Sequence, residues 1–108
     1  MAAPPWPAEV SGANEIIHQT MRLKIMAALN VLERNSWLEF TRLRGMLETT
    51  DGNLGAHLET LSKAGYVTLD KRFEGKRPQT RVRATSSGRR AFADHVAYLR
   101  DILDSSAG

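Results

Sequence analysis

The chain has 108 residues and no cysteine, with 42% hydrophobic and 25% charged residues, a formal charge of +3 at pH 7 and a sequence pI near 9.7. That length supports one hydrophobic core, and the composition argues against a disordered tail, a collagen-like repeat or a coiled-coil fibre. Lack of cysteine excludes disulfide frameworks, thiolate zinc sites and cysteine nucleophiles, as expected of a reducing compartment.

Met1 to Pro7 carries Pro4, Pro5 and Pro7 and no basic segment leading into an apolar one, so residues 1–13 read as a flexible Pro-rich arm rather than a signal peptide. The folded domain is expected over residues 14–105. From Asn14 the pattern is helical, with Met21, Ile25, Ala28, Leu29 and Leu32 on one face. Leu23 and Met26 lie off that face, which makes the helix apolar broadly enough to meet more than one neighbour, a second subunit included. Asn30 interrupts the longest apolar run, Ile25 to Leu32, which is far too short to cross a bilayer. A cytoplasmic protein with no membrane partner is expected.

Trp37, Leu38 and Phe40 predict a short extended stretch, and Phe40 to Leu47 a second helix with Phe40, Leu43 and Leu47 inward. Thr49 to Gly52 predicts a turn in which Thr50 caps a third helix, running to about Ala64 and stopped by Gly65 in the left-handed conformation. On it Leu54, Leu58 and Leu61 face inward, while Gly52, Asn53, Ala56, Glu59, Thr60 and Lys63 face outward. Tyr66 to Phe73 and Thr80 to Thr85 alternate apolar and polar residues as two strands, joined by Glu74 to Pro78 as a basic tip. Ser86 or Ser87 is expected to cap a last helix, with Phe92, Val96, Leu99 and Leu103 as its apolar stripe, widened by Tyr98 and Ile102. Asp104 to Gly108 read as a frayed end. The fold class is therefore mainly α with a small antiparallel β-hairpin.

The positive charge is concentrated. Residues 63–90 hold nine basic and two acidic side chains, net +7, between flanks that each carry net −2. Such density without matching acids costs self-repulsion and calls for an anionic partner. Catalytic or metal chemistry finds no footing. His18, His57 and His95 fall on three separate helices without metal-ligand spacing, and no His-Glu-x-x-His occurs. Asp94, Asp101 and Asp104 share the side of the last helix opposite its apolar stripe, a solvated face. Gly52 to Gly55 and Gly75-Lys76 fall short of a phosphate-binding loop. No enzymatic activity and no cofactor is expected.

Two short helices joined by a tight turn and followed by a basic hairpin meet the needs of duplex DNA recognition, because a helix fits the major groove and reads base edges. Gly52, Asn53, Ala56 and Thr60 are small or polar enough to approach bases, and Asn53 can donate to and accept from adenine. Thr50, Lys63, Lys71, Arg72, Lys76, Arg77 and Arg81 are the expected contacts to phosphate or to the minor groove. An adaptor that grips an acidic protein with the same hairpin is the alternative. An RNA-binding module lacks the exposed stacking aromatics it would need.

Arg22 to Met26, Phe40 to Leu43, Thr50 to Val67, and Arg77-Pro78 with Thr80 to Arg90 resemble the small winged-helix transcription regulators related to the MarR and ArsR repressors, over about Asn14 to Leu103. The resemblance implies a winged helix-turn-helix with an additional C-terminal dimerisation helix. It also implies a homodimer held by the first and last helices, and repression from a pseudo-palindromic operator. Leu23, Met26, Val96, Tyr98, Leu99, Ile102 and Leu103 would form that dimer interface. Metal-sensing relatives place cysteines where this chain has Leu38 to Thr41, so thiolate metal sensing is excluded. A small organic inducer, a protein signal and abundance alone stay open as inputs.

Overall fold

The computed structural model describes residues 14–107, and the expected Pro-rich arm over residues 1–13 lies outside them. The elements run α1 (Glu15–His18), α2 (Thr20–Asn30), β1 (Leu38–Glu39), α3 (Phe40–Leu47), α4 (Asp51–Lys63), β2 (Val67–Glu74), β3 (Arg77–Ala84) and α5 (Ser86–Ala107). The sheet has the order β1-β3-β2 and is antiparallel throughout, with Leu38 opposite Val82 and Leu69 opposite that same residue on the other side.

The expected first helix is broken in two. Gln19 adopts extended backbone, and its side-chain oxygen accepts from the N–H groups of Met21 and Arg22, which starts α2 afresh. Upstream, the Asn14 side chain accepts from Ile16 and Ile17 and caps α1. The Arg22 guanidinium donates back to the Ile16 carbonyl and ties the two pieces together. Met26 corrects an expectation: it is fully buried in the monomer core and offers nothing to a second subunit. The cause is position. α2 packs against α1, α3, α4, β3 and α5, and a helix surrounded by its own chain is apolar on nearly every side.

Ile17, Ile25 and Leu29 meet Leu43 of α3, Leu54, Leu58 and Leu61 of α4, and Val67 and Val82 of the sheet in one core. Each such side chain, taken from water to full burial, contributes about 1.5–3 kcal/mol. Arg89 closes the back of α2: its guanidinium donates to the carbonyls of Leu32 at 3.0 Å and Glu33 at 3.2 Å, with Leu29 and Asn30 at 3.5 Å. Cations suit a helix C-terminus, so this member of the basic segment is structural.

Four boundaries differ from the sequence expectation. The hairpin turn is only Gly75-Lys76, and Glu74 already pairs with Arg77. Pro78 lies within β3 rather than in the connecting tip, because β1 pairs only at Val82 and Arg81 and β3 has a single neighbour at Pro78. Thr85, not Ser86 or Ser87, caps α5, its hydroxyl accepting from Gly88 N at 2.9 Å and donating to Gly65 O at 2.6 Å. α5 also continues through Asp104 to Ala107, where a frayed end was expected.

His95 is buried at the junction of α1 and α5. Its Nδ1 accepts from Asn14 N at 3.2 Å, Tyr98 stacks on its ring at 5.8 Å, and His18 meets its edge at 5.5 Å. Burial, and then the charge of His18, hold its pKa below the ordinary 6.5, opposed by Glu15. The folded protein therefore binds fewer protons here than the unfolded chain. The stability this burial protects is complete above the unfolded pKa and is lost as pH falls below it. Thermal midpoints measured at about pH 7.5 and pH 5 should drop with acid, and His95→Gln, which removes the titration, should drop less. An equal fall in both proteins would assign the acid sensitivity elsewhere.

Candidate nucleic-acid interface

Thr50 caps α4 as the sequence predicts: its hydroxyl accepts from Asn53 N at 3.1 Å. Gly65, at φ +79°, ends the helix, and Tyr66 N donates to Leu61 O at 2.9 Å. Leu54, Leu58 and Leu61 are buried, so the helix has one rotation open to it. That rotation leaves Gly52, Asn53, Ala56, Glu59, Thr60 and Lys63 exposed in a row along its outer side. Arg44, in the last turn of α3, donates to Asp51 Oδ1 at 2.6 Å and bridges the turn between the two helices. This pairing was not legible in the sequence, because it joins two helices across a turn. On the inner side Arg22 Nη1 donates to His57 Nδ1 at 3.2 Å. Burial and the adjoining Arg22 charge lower the His57 pKa, which keeps the ring an acceptor.

Among the expected base-reading residues, Asn53 is the best prepared. Its Nδ2 donates to Thr49 Oγ1 at 2.8 Å, which orients the amide while leaving Oδ1 and the second N–H for an adenine edge. The signal was present as Thr49 and Asn53 four residues apart. Gly52 and Ala56 flank it and add no bulk. Thr60 spends its hydroxyl hydrogen on Ala56 O at 3.2 Å and has acceptor capacity left. Lys63 lies 4.0 Å from Glu59 on the same helix and is partly neutralised there.

The hairpin distributes its charges over two faces. Leu69, Lys71 and Phe73 share one face of the sheet with Val82, Thr80 and Pro78. Lys71 and Thr80 there line a cleft of about 210 Å³ with Phe40, Gly55, Leu58 and Glu59, so this face looks toward α4. The opposite face carries Asp70, Arg72 and Glu74 against Arg81, Gln79 and Arg77. Arg81 is not free for phosphate. Its Nε donates to Asp70 Oδ2 at 2.8 Å, and its guanidinium lies 4.3 Å from the Trp37 ring, with Arg83 at 4.4 Å from that ring. Lys71, Arg72, Lys76 and Arg77 stay exposed. Among the described residues, no group of three or more His, Cys, Asp or Glu is placed to hold a metal ion, and no helix is long and apolar enough to cross a membrane.

The expected dimer residues divide. Val96, Tyr98, Leu99 and Ile102 are half-buried along α5, Leu103 is 67% exposed, and Leu23 packs against the core of its own chain.

Comparisons with known proteins agree with this geometry. A family model for a winged helix DNA-binding domain matches residues 21–103. An uncharacterized protein of Methanocaldococcus jannaschii is 37% identical over 92 residues, which cover 85% of this chain and 94% of that protein. Among solved structures, a transcriptional regulator homologue from Pyrococcus horikoshii OT3 superposes with a TM-score of 0.75 at 27% identity, covering 84% of this chain and 87% of that one. A Thermoplasma acidophilum protein, solved as a candidate transcriptional regulator, shares the fold with a TM-score of 0.61 at 23% identity, covering 84% of this chain and 93% of that one.

Proposed function

This chain belongs to the winged helix DNA-binding domain family, and from that premise we propose that it is a dimeric, sequence-specific regulator that reads the major groove with α4 and grips phosphates with its wing. That the chain is a DNA-binding regulator rather than an enzyme follows from the family and from its likeness to the P. horikoshii regulator homologue. One observation supports base reading by α4 and phosphate contact by the hairpin. The exposed row Gly52, Asn53 and Ala56 on α4 stands beside a hairpin whose Lys71, Arg72, Lys76 and Arg77 are all open to solvent.

In this reading Asn53 discriminates adenine, while Thr50 and the first N–H groups of α4 hold a phosphate at the helix start. Occupying the duplex excludes other proteins from it, so repression is the sense this surface supports, within the cytoplasm where such a duplex is met. Dimerisation rests on the half-buried stripe Val96, Tyr98, Leu99 and Ile102 of α5, with Leu103 at its exposed end.

Fluorescence anisotropy with a labelled duplex, repeated across salt concentrations, tests the DNA reading. If the four exposed wing cations each neutralise one phosphate, the log–log slope should reach about 3.6 per protomer. Binding indifferent to salt, or no binding at low salt, would remove it.

A further inference from the structure

Phe73 is 71% exposed, and among the described residues it is the aromatic side chain that the fold leaves most plainly unburied. Its place is unusual. The inward face of the hairpin begins with two buried or half-buried apolar pairs, Val67 with Ala84 and Leu69 with Val82. It passes through Lys71 and Thr80 at the edge of the α4 cleft, then ends in a third apolar pair, Phe73 opposite Pro78, beyond any core. A ring left exposed at the outer end of a strand gains nothing from folding. Pro78 backs the ring from the partner strand, with Lys71 two residues back on the same face and Lys76 in the turn beyond it, while Arg77 lies on the opposite face across from Glu74. The ring therefore sits on the face of the hairpin that looks toward α4, one step outward, inside the most basic part of the chain.

The minor groove of a duplex is roughly 6 Å wide, and the hairpin packs beside α4 through β2. Apolar side chains entering that groove separate neighbouring base pairs and kink the duplex, provided nearby cations hold the phosphates. We propose that Phe73, backed by Pro78, is an apolar wedge that enters the minor groove beside the α4 site and partly unstacks a base step there. The inference rests on the DNA-binding reading and adds to it a second source of selectivity. Flexible pyrimidine–purine steps open at least cost, so sites carrying TA or CA at the wedge position are favoured without any base-edge contact.

The test uses the full chain and a duplex of alternating dA and dT with 2-aminopurine in place of several adenines, at low salt. Saturating wild-type protein should raise the 2-aminopurine fluorescence, as unstacking does. Phe73→Ala should abolish the rise and weaken binding by about tenfold, the scale of one lost base–aromatic contact, while Phe73→Trp should keep both. Being exposed, the position tolerates these changes without loss of the fold, which circular dichroism checks. If Phe73→Ala binds and raises the fluorescence as the wild type does, the wedge is wrong and the DNA reading stands. If the wild type binds no duplex, the DNA reading itself fails. If Phe73→Ala instead halves the particle mass in light scattering, the ring belongs to a contact between copies of the chain and the wedge is overturned.

Discussion

Replacing Gly88 by alanine is expected to cost about 3 kcal/mol or more, enough to unfold a marginal domain of this size. Gly88 is buried in the first turn of α5, where a Cβ would lie 2.0 Å from the Tyr66 carbonyl oxygen, 2.8 Å from its carbon and 3.0 Å from its Cα. All three atoms are backbone, and they cannot swing aside as a side chain would. Tyr66 is fixed from both directions: its N–H donates to Leu61 O at 2.9 Å, and its carbonyl accepts from Thr85 N at 3.0 Å. Moving it would release the end of α4 and the start of β2 together. Gly45 makes the matched control. It lies inside α3 with nothing within 4 Å of a Cβ, so Gly45→Ala should stabilise by about 0.5–1 kcal/mol. Denaturant midpoints at constant slope measure both, and a Gly88→Ala protein as stable as wild type would mean that α5 does not sit on Tyr66 as described.

The second large effect separates grip from reading. Arg72→Ala, Lys76→Ala and Arg77→Ala combined should weaken binding to every duplex by about a hundredfold at low salt, at roughly 1 kcal/mol for each exposed charge contact. The same change should reduce the salt slope by about 2.7. Asn53→Ala should do the opposite: it should leave the slope in place and lose about 1–3 kcal/mol of discrimination at one base position. The division follows from the structure, since those three wing cations are exposed on the hairpin and Asn53 sits in the first turn of α4 with its amide held by Thr49. Measured affinities for a matched and a mismatched duplex decide it. If both variants scaled all sequences equally, Asn53 would not be a reader of bases.

Where one local rule dominates, the sequence was sufficient. α3 begins and ends where the spacing of Phe40, Leu43 and Leu47 put it, and α4 follows from Thr50, three buried leucines and Gly65. These signals act within a turn or two of helix, so a single chain displays them. What depended on distant partners was not legible. Met26 looked like surplus apolar surface until α2 was found at the centre of the molecule. Arg81 looked like a wing charge and Arg89 counted toward the basic segment, yet one is held by Asp70 and Trp37 and the other by the carbonyls that end α2. Pro78 and Gln19 misled for the opposite reason. Proline normally ends a strand and glutamine is a weak cap, and here each is excused by geometry: β3 has one neighbour at Pro78, and the Gln19 oxygen reaches two N–H groups. The +7 segment is thus smaller as a binding surface than as a count, and the exposed remainder lies on the hairpin.

Selection of bound fragments from a pool of random duplexes, followed by sequencing, tests the central claim most directly. One motif made of two inverted half-sites should be enriched, with centres about 10 base pairs or a multiple of that apart, each holding an adenine whose preference disappears in Asn53→Ala. A single unrepeated half-site would contradict the dimer, and a pool that stays random after repeated rounds would contradict sequence reading by α4.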